Sequence, residues 1–136
     1  MKRQVRDIMT RVVEYVAPDA SIQEVATRMK DRDIGSFPVC QDGSVVGMVT
    51  DRDLALRVLA EGRDADATRV AEGMSKEVVT CDIDDRLEEV AALMSDRQIR
   101  RIPVVSEKGR LVGLVTLGTL AETDSAASGK VLKEVV

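Results

Sequence analysis

Ile22-Gln23-Glu24-Val25-Ala26-Thr27-Arg28-Met29-Lys30-Asp31-Arg32-Asp33-Ile34-Gly35-Ser36-Phe37-Pro38-Val39 is answered 65 residues later by Leu87-Glu88-Glu89-Val90-Ala91-Ala92-Leu93-Met94-Ser95-Asp96-Arg97-Gln98-Ile99-Arg100-Arg101-Ile102-Pro103-Val104. Nine of the eighteen aligned positions are identical. The echo extends forward, where Val46-Gly47-Met48-Val49-Thr50 matches Val112-Gly113-Leu114-Val115-Thr116 at a shift of 66. It extends backward too, where Asp7-Ile8-Met9-Thr10 answers Glu72-Gly73-Met74-Ser75. The chain is a duplication, divided in sequence as 1–68 and 69–136. Half of 136 residues is marginal as an independent core, so the copies are expected to share one body with pseudo-twofold symmetry and two related clefts.

Each copy reads as strand–helix–strand–strand–helix, an α/β (α+β) unit. Ile22, Val25, Ala26 and Met29 fall at i, i+3, i+4 and i+7, one face of a helix, and Leu87, Val90, Ala91 and Met94 repeat the pattern. Ser21-x-x-Glu24 and Asp85-x-x-Glu88 are candidate capping boxes for the two helices. Gly35 and Pro38 punctuate the first helix's exit. Asp42-Gly43 is a hairpin signal between Phe37–Cys40 and Val45–Thr50, and Glu107-Lys108-Gly109 does the same between Ile102–Val105 and Leu111–Thr116. Val12–Val16 and Val78–Cys81 read as opening strands, and Asp51–Ala60 as a helix closed by Gly62. Gly62–Thr68 reads as the connection between the copies. Val131–Val136 is apolar for a terminus and suits either a cover for a patch, a contact with a partner chain, or a disordered tail.

Composition removes several functions. Apolar residues make up 44 % and charged residues 32 % of the chain, and no stretch approaches the ~18 apolar residues of a membrane span. The charged N-terminus has no apolar run behind it, so it does not read as a signal peptide, and the expected address is cytoplasmic. With no histidine the commonest general base and metal ligand is missing, and no catalytic residues and no metal ligands are assigned. Cys40 and Cys81 lack a metal-ligand spacing and read as small buried hydrophobes, a redox pair being the alternative. A net charge of −4 and only two aromatics, Tyr15 and Phe37, disfavour nucleic acid as a partner.

One constellation carries chemistry. In Gly47-x-x-Thr50-x-x-Asp53 a strand gives way to a helix, whose first N–H groups suit phosphate. The Thr50 hydroxyl can hydrogen-bond a phosphate oxygen, and the Asp53 carboxylate can accept from both hydroxyls of a vicinal diol. The same spacing also makes a helix cap, and the two roles are compatible if a ligand displaces the cap. Copy two keeps Thr116 but has Thr119 in place of Asp53, and Gly118 weakens its helix start. Its site is therefore expected to be weaker or empty.

The ordered, doubled set Asp7-Ile8-Met9-Thr10, Ile34–Val39, Gly47–Leu54, Met74-Ser75, Ile99–Val105 and Gly113–Thr116 resembles a tandem pair of CBS domains, a Bateman module, over about residues 5–122. It is most similar to the stand-alone class. The resemblance implies a regulatory module that binds AMP, ADP, ATP or S-adenosylmethionine in a cleft between the repeats, with no obligatory cofactor and no catalysis. It also implies a homodimer and a regulated partner protein. The better site is implied to use Thr50, Arg52 and Asp53, with adenine near Thr10, Val12, Val13, Ile34, Phe37, Pro38 and Val39. Arg100 and Arg101 are implied to meet phosphate, for which the guanidinium fork is suited; a solvated or ion-paired patch is the alternative. The weaker second site is implied at Ser75, Val78, Ile102, Pro103, Thr116 and Thr119. The alternative function is a constitutive dimerisation scaffold with vestigial clefts, for which Thr119 and the apolar tail speak.

Overall fold

A computed structural model describes residues 3–123; the apolar stretch 131–136 lies outside them. The described residues condense into two compact units, one of residues 14–78 and the other of residues 3–13 together with 79–123.

The first unit is built on helix α1 (Ile22–Arg32) and a hairpin of β1 (Ser36–Gln41) and β2 (Ser44–Thr50). Ser21 caps α1 by accepting the Glu24 N–H at 3.1 Å. Ile22, Val25 and Met29 are buried against Phe37, Val39 and Val49, as the helical spacing requires. Each such fully buried side chain contributes roughly 1.5–3 kcal/mol. Asp42 and Gly43 both take positive φ, 54° and 85°, which gives the two-residue turn whose twist matches the paired strands. Asp33, not Gly35, is the left-handed residue that ends α1, with φ 54°. Gly35 is instead a close-approach position, since a Cβ there would lie 2.9 Å from the Asp51 carboxylate.

After β2 the chain enters α2 (Asp51–Asp53) and continues as a π-helical segment, Leu54–Leu59. The sequence reads as one α-helix to Ala60; the backbone instead pairs Ala60 N–H with Ala55 O at 2.9 Å and Arg63 N–H with Val58 O at 3.0 Å, the wider i→i+5 closure. Gly62 then turns the chain with φ 70°. The stretch 62–68 is more than a polar connection. Thr68 is buried, and the carbonyls of Thr68 and Ala65 accept the Ile22 and Gln23 N–H groups at 3.0 and 3.1 Å. Helix α3 (Val70–Gly73) completes the unit.

The second unit repeats the plan with β3 (Cys81–Asp82), α4 (Leu87–Arg97), β4 (Arg101–Val105), β5 (Leu111–Thr116) and α5 (Leu117–Thr123). Strand β3 runs parallel to β4, and β4 antiparallel to β5. Leu87, Val90, Ala91 and Met94 are all buried. Asp85 does not cap α4. The residue at the cap position is Arg86, which has no acceptor, and Asp85 closes a turn by accepting the Asp82 N–H at 2.9 Å.

The opening strands are shorter than the β-branched runs imply. In copy one only Val16 pairs, in parallel with Val39, and Val12 is 89 % exposed. In copy two only Cys81–Asp82 forms a strand. A β-branched run without a facing partner stays irregular, because its polar backbone is satisfied equally well by water.

The two sequence copies exchange their beginnings. Thr10 pairs with Leu114 of β5, and Gln4 bridges Arg86 at the start of α4. Ser75 pairs with Met48 of β2, and Arg69 bridges Ser21 at the start of α1. So the first dozen residues complete the body of copy two, and residues 69–75 complete the body of copy one. Glycine makes this possible at one position in each hairpin. A Cβ on Gly113 would lie 2.6 Å from Met9 Sδ and 3.0 Å from Thr10 O, and one on Gly47 would lie 2.6 Å from Met74 Sδ and 2.9 Å from Ser75 O. The exchanged segment packs directly on backbone that no other residue leaves bare.

Both cysteines are buried and unpaired, in β1 and β3, as the reading of small buried hydrophobes has it. Burial pushes the Cys40 thiol upward, and burial followed by the charges of Asp85 and Asp82 pushes Cys81 up to about 12. The thiolate is the reactive form, so neither residue should react with a thiol reagent at pH 8 in the folded protein, whereas both should react in denaturant. A raised folded-state pKa stabilises the fold below the thiol's ordinary range and loses that contribution as pH climbs from about 9 toward 12. Prompt labelling of native protein at pH 8, or a melting temperature flat across that alkaline window, would contradict the assignment.

Candidate functional site

Thr50 stands at the junction of β2 and α2, with extended backbone (φ −121°, ψ 162°). Its hydroxyl accepts the Asp53 N–H at 3.1 Å, and Asp53 Oδ2 accepts the Thr50 N–H at 2.9 Å. This is a reciprocal cap, the arrangement that the spacing allows. Two further N–H groups that open the helix are also satisfied within the protein: Asp51 donates to Gly35 O at 2.9 Å and Arg52 to Asp51 Oδ1 at 2.8 Å. A phosphate at this helix start must therefore displace acceptors the protein already supplies.

The Asp53 side chain is only 15 % exposed, and its Oδ1 lies 3.7 Å from Arg57 Nε. Arg57 Nη1 in turn donates to Met74 O at 3.1 Å. Met74 and Ser75 belong to the exchanged segment, and Ser75 is joined to Met48 by paired backbone hydrogen bonds of 2.9 and 2.8 Å. Thr50, Asp53, Arg57, Met74 and Ser75 thus form one cluster inside a single compact unit, and the unit's last residue, Val78, is half-buried. Arg57 was not among the residues singled out from sequence. Its spacing of four from Asp53 was the available signal, and it reads as an ordinary surface pair until Met74 is brought alongside.

In the other unit Thr116 and Thr119 repeat the cap without a carboxylate. Thr116 Oγ1 accepts the Thr119 N–H at 3.1 Å, the two hydroxyl oxygens are 2.6 Å apart, and the Thr116 N–H donates to Thr119 Oγ1 at 3.3 Å. Arg100, Arg101, Thr116, Leu117, Gly118 and Ala121 line a groove of about 480 Å³. Two guanidinium-bearing residues and a hydroxyl on one groove make a surface suited to an anion.

The residues implied by the family resemblance divide between the units. Ile34, Phe37, Pro38, Val39, Thr50, Arg52, Asp53, Ser75 and Val78 lie in residues 14–78; Thr10, Val12, Val13, Arg100, Arg101, Ile102, Pro103, Thr116 and Thr119 lie in the other unit. Thr10 therefore packs beside β5, and Ser75 beside β2, each the reverse of the grouping made along the sequence. Phe37, Val39 and Ile102 are core side chains, at most 1 % exposed, and the Arg28 guanidinium sits 4.9 Å from the Phe37 ring centre. Arg52 is exposed. Among the described residues no group of three or more potential ligands is placed to hold a metal ion, and no helix is long and apolar enough to cross a membrane.

Comparison with known proteins gives the same picture from outside. The chain is 43 % identical over 133 residues to the CBS domain-containing protein YhcV of Bacillus subtilis, covering 96 % of this chain and 94 % of that one. It resembles the crystal structure of Hypoxic Response Protein I with two coordinated zinc ions, at TM-score 0.80 and 35 % identity, covering 88 % of this chain and 98 % of that one. It also resembles the CBS domain pair of protein MJ0100 in complex with 5′-methylthioadenosine and S-adenosyl-L-methionine, at TM-score 0.78 and 28 % identity over 93 % of this chain and 98 % of that one. The CBS domain family matches twice, at residues 5–60 and 67–125, and with two repeats that each complete the other, this chain belongs to that family as a tandem CBS-domain pair.

Proposed function

We propose that this CBS pair is a regulatory module that senses an adenosine nucleotide or a related adenosine compound, with Asp53 as the residue that takes the ribose. The observation that carries the reading is the Thr50–Asp53 cluster, a partly covered carboxylate beside a strand-to-helix junction. The similar pair of MJ0100, which is in complex with two adenosine compounds, supports the ligand class. Asp53 accepts the two ribose hydroxyls once it lets go of the Thr50 N–H, so binding exchanges an internal cap for an external one. The ligand shifts the module toward the conformation in which the cap is open, and a partner reads that shift. The anion-suited groove at Arg100, Arg101 and Thr116 is the place for phosphate-bearing ligand at the second repeat, and the missing carboxylate makes it the weaker of the two.

A thermal melt against AMP, ADP, ATP and S-adenosylmethionine tests this. A bound ligand at a hundred times its dissociation constant adds about 2.7 kcal/mol, which moves the melting temperature by several degrees for a chain of this size. Asp53→Ala is expected to remove most of that shift. No shift with any of the four compounds sinks the sensing reading. It would leave the second reading, a constitutive self-associating scaffold, which Leu56 and Leu59 favour, since they are 48 % and 78 % exposed on the π-helical segment. Light scattering with and without ligand separates the two, because a scaffold associates indifferently to nucleotide.

A further inference from the structure

We infer that Arg57 is the positioning residue that makes Asp53 selective for a ribose over a deoxyribose. The inference rests on the sensing reading and names a device within it. A carboxylate that accepts from a vicinal diol must present both oxygens in a fixed plane. When Asp53 gives up the Thr50 N–H it loses the backbone hydrogen bond that sets that plane. What remains beside it is the Arg57 guanidinium, 3.7 Å from Oδ1.

The guanidinium does not depend on Asp53 for its own place. Arg57 Nη1 is held by Met74 O at 3.1 Å, and Met74 is 9 % exposed and packed in the core of the unit. The carbonyl is fixed again one residue on, where Ser75 is paired on both sides with Met48. Arg57 is thus a cation pinned to the exchanged segment, standing next to a carboxylate that has to move. A planar fork already anchored through one nitrogen orients a carboxylate at little further entropic cost, which a mobile lysine cannot do. Arg57 sits in the π-helical segment that directly follows Asp53.

Copy two provides the internal comparison. The positions that correspond to Asp53 and Arg57, shifted by 66, are Thr119 and Thr123, so the carboxylate and the guanidinium are absent together.

The test uses the full chain and titration calorimetry with AMP, ADP and ATP, each against its 2′-deoxy counterpart. Wild type is expected to prefer the ribose form by about tenfold or more, the usual worth of a hydrogen bond to a charged group. Arg57→Gln is expected to bring that preference close to unity by weakening the ribose form, with the 2′-deoxy form bound about as before. Arg57→Lys is expected to restore only part of it. A merely structural role would weaken both forms in proportion and leave the ratio intact, and that result overturns the inference. So does full selectivity in Arg57→Gln. Wild type that binds none of the three nucleotides overturns this inference, and it overturns the sensing reading as well when S-adenosylmethionine also fails to bind. Binding with strong selectivity lost in Asp53→Asn but kept in Arg57→Gln leaves the reading standing and removes Arg57 from it.

Discussion

A chain from which residues 3–10 have been removed is expected to lose the ordered body of copy two while the unit of residues 14–78 persists. Val5 is fully buried in the core formed with Leu87, Val90 and Ile102, and Ile8 and Met9 pack against the same cluster. Backbone bonds go with them: Val5 N–H to Asp85 O at 2.8 Å, Leu87 N–H to Arg3 O at 3.2 Å, and the pair between Thr10 and Leu114 at 2.9 Å each. The Val5 side chain alone is worth roughly 1.5–3 kcal/mol, and the hole it leaves adds to the loss. Set against a total stability of about 5–15 kcal/mol for a whole domain, the deletion is large. Hydrogen exchange checks it: the Leu87 and Leu114 amides should lose protection in the shortened chain, and a peptide of residues 1–13 added in excess should restore it. Unchanged protection at both amides would mean that the exchanged segment is not part of the fold's support.

On the proposed sensing reading, Thr119→Asp is expected to create a second strong nucleotide site. The Thr116 N–H, which now reaches Thr119 Oγ1 at 3.3 Å, would gain a carboxylate of the kind that Asp53 offers Thr50. A hydrogen bond to a charged acceptor is worth about 1.5–3 kcal/mol against about 0.5–1.5 for a neutral one, so affinity at copy two should rise by roughly tenfold. Calorimetry should then report two bound nucleotides per chain where wild type gives one strong event. Asp53→Asn in the same background should return it to one, at the engineered position. The gain should fall short of the first site, because Thr123 stands where Arg57 would be needed. A variant that folds as wild type does and still binds once would show that the carboxylate is not what separates the two copies. The substitution itself is tolerable, since an acidic side chain in the first turn of a helix is favourable by about 0.3–1 kcal/mol.

Much of the fold was legible because it is local. The i, i+3, i+4, i+7 faces of α1 and α4, the Asp42-Gly43 turn and the Thr50 and Thr116 junctions all follow from a few neighbouring residues and came out as read. Where the reading differed, the deciding partner was distant. The opening β-branched runs stay mostly irregular because only Val16 and Cys81–Asp82 find a strand to pair with. Asp85 turned to the Asp82 N–H once Arg86 took the cap position. The helix after Thr50 widened into a π-helical segment, which periodicity at this length does not distinguish from α.

For the candidate site, residue types and spacing alone pointed to the Thr50–Asp53 cap and its contrast with Thr116 and Thr119, because a cap is a short-range device. Which segments stand beside them was a tertiary decision. Tandem copies carry interchangeable opening segments, so nothing in the sequence says whether Thr10 packs on its own hairpin or on the other. The folded chain chose the other, through Gly113 and Gly47, and that choice set Met74 O beside an Arg57 that helical spacing had already placed next to Asp53.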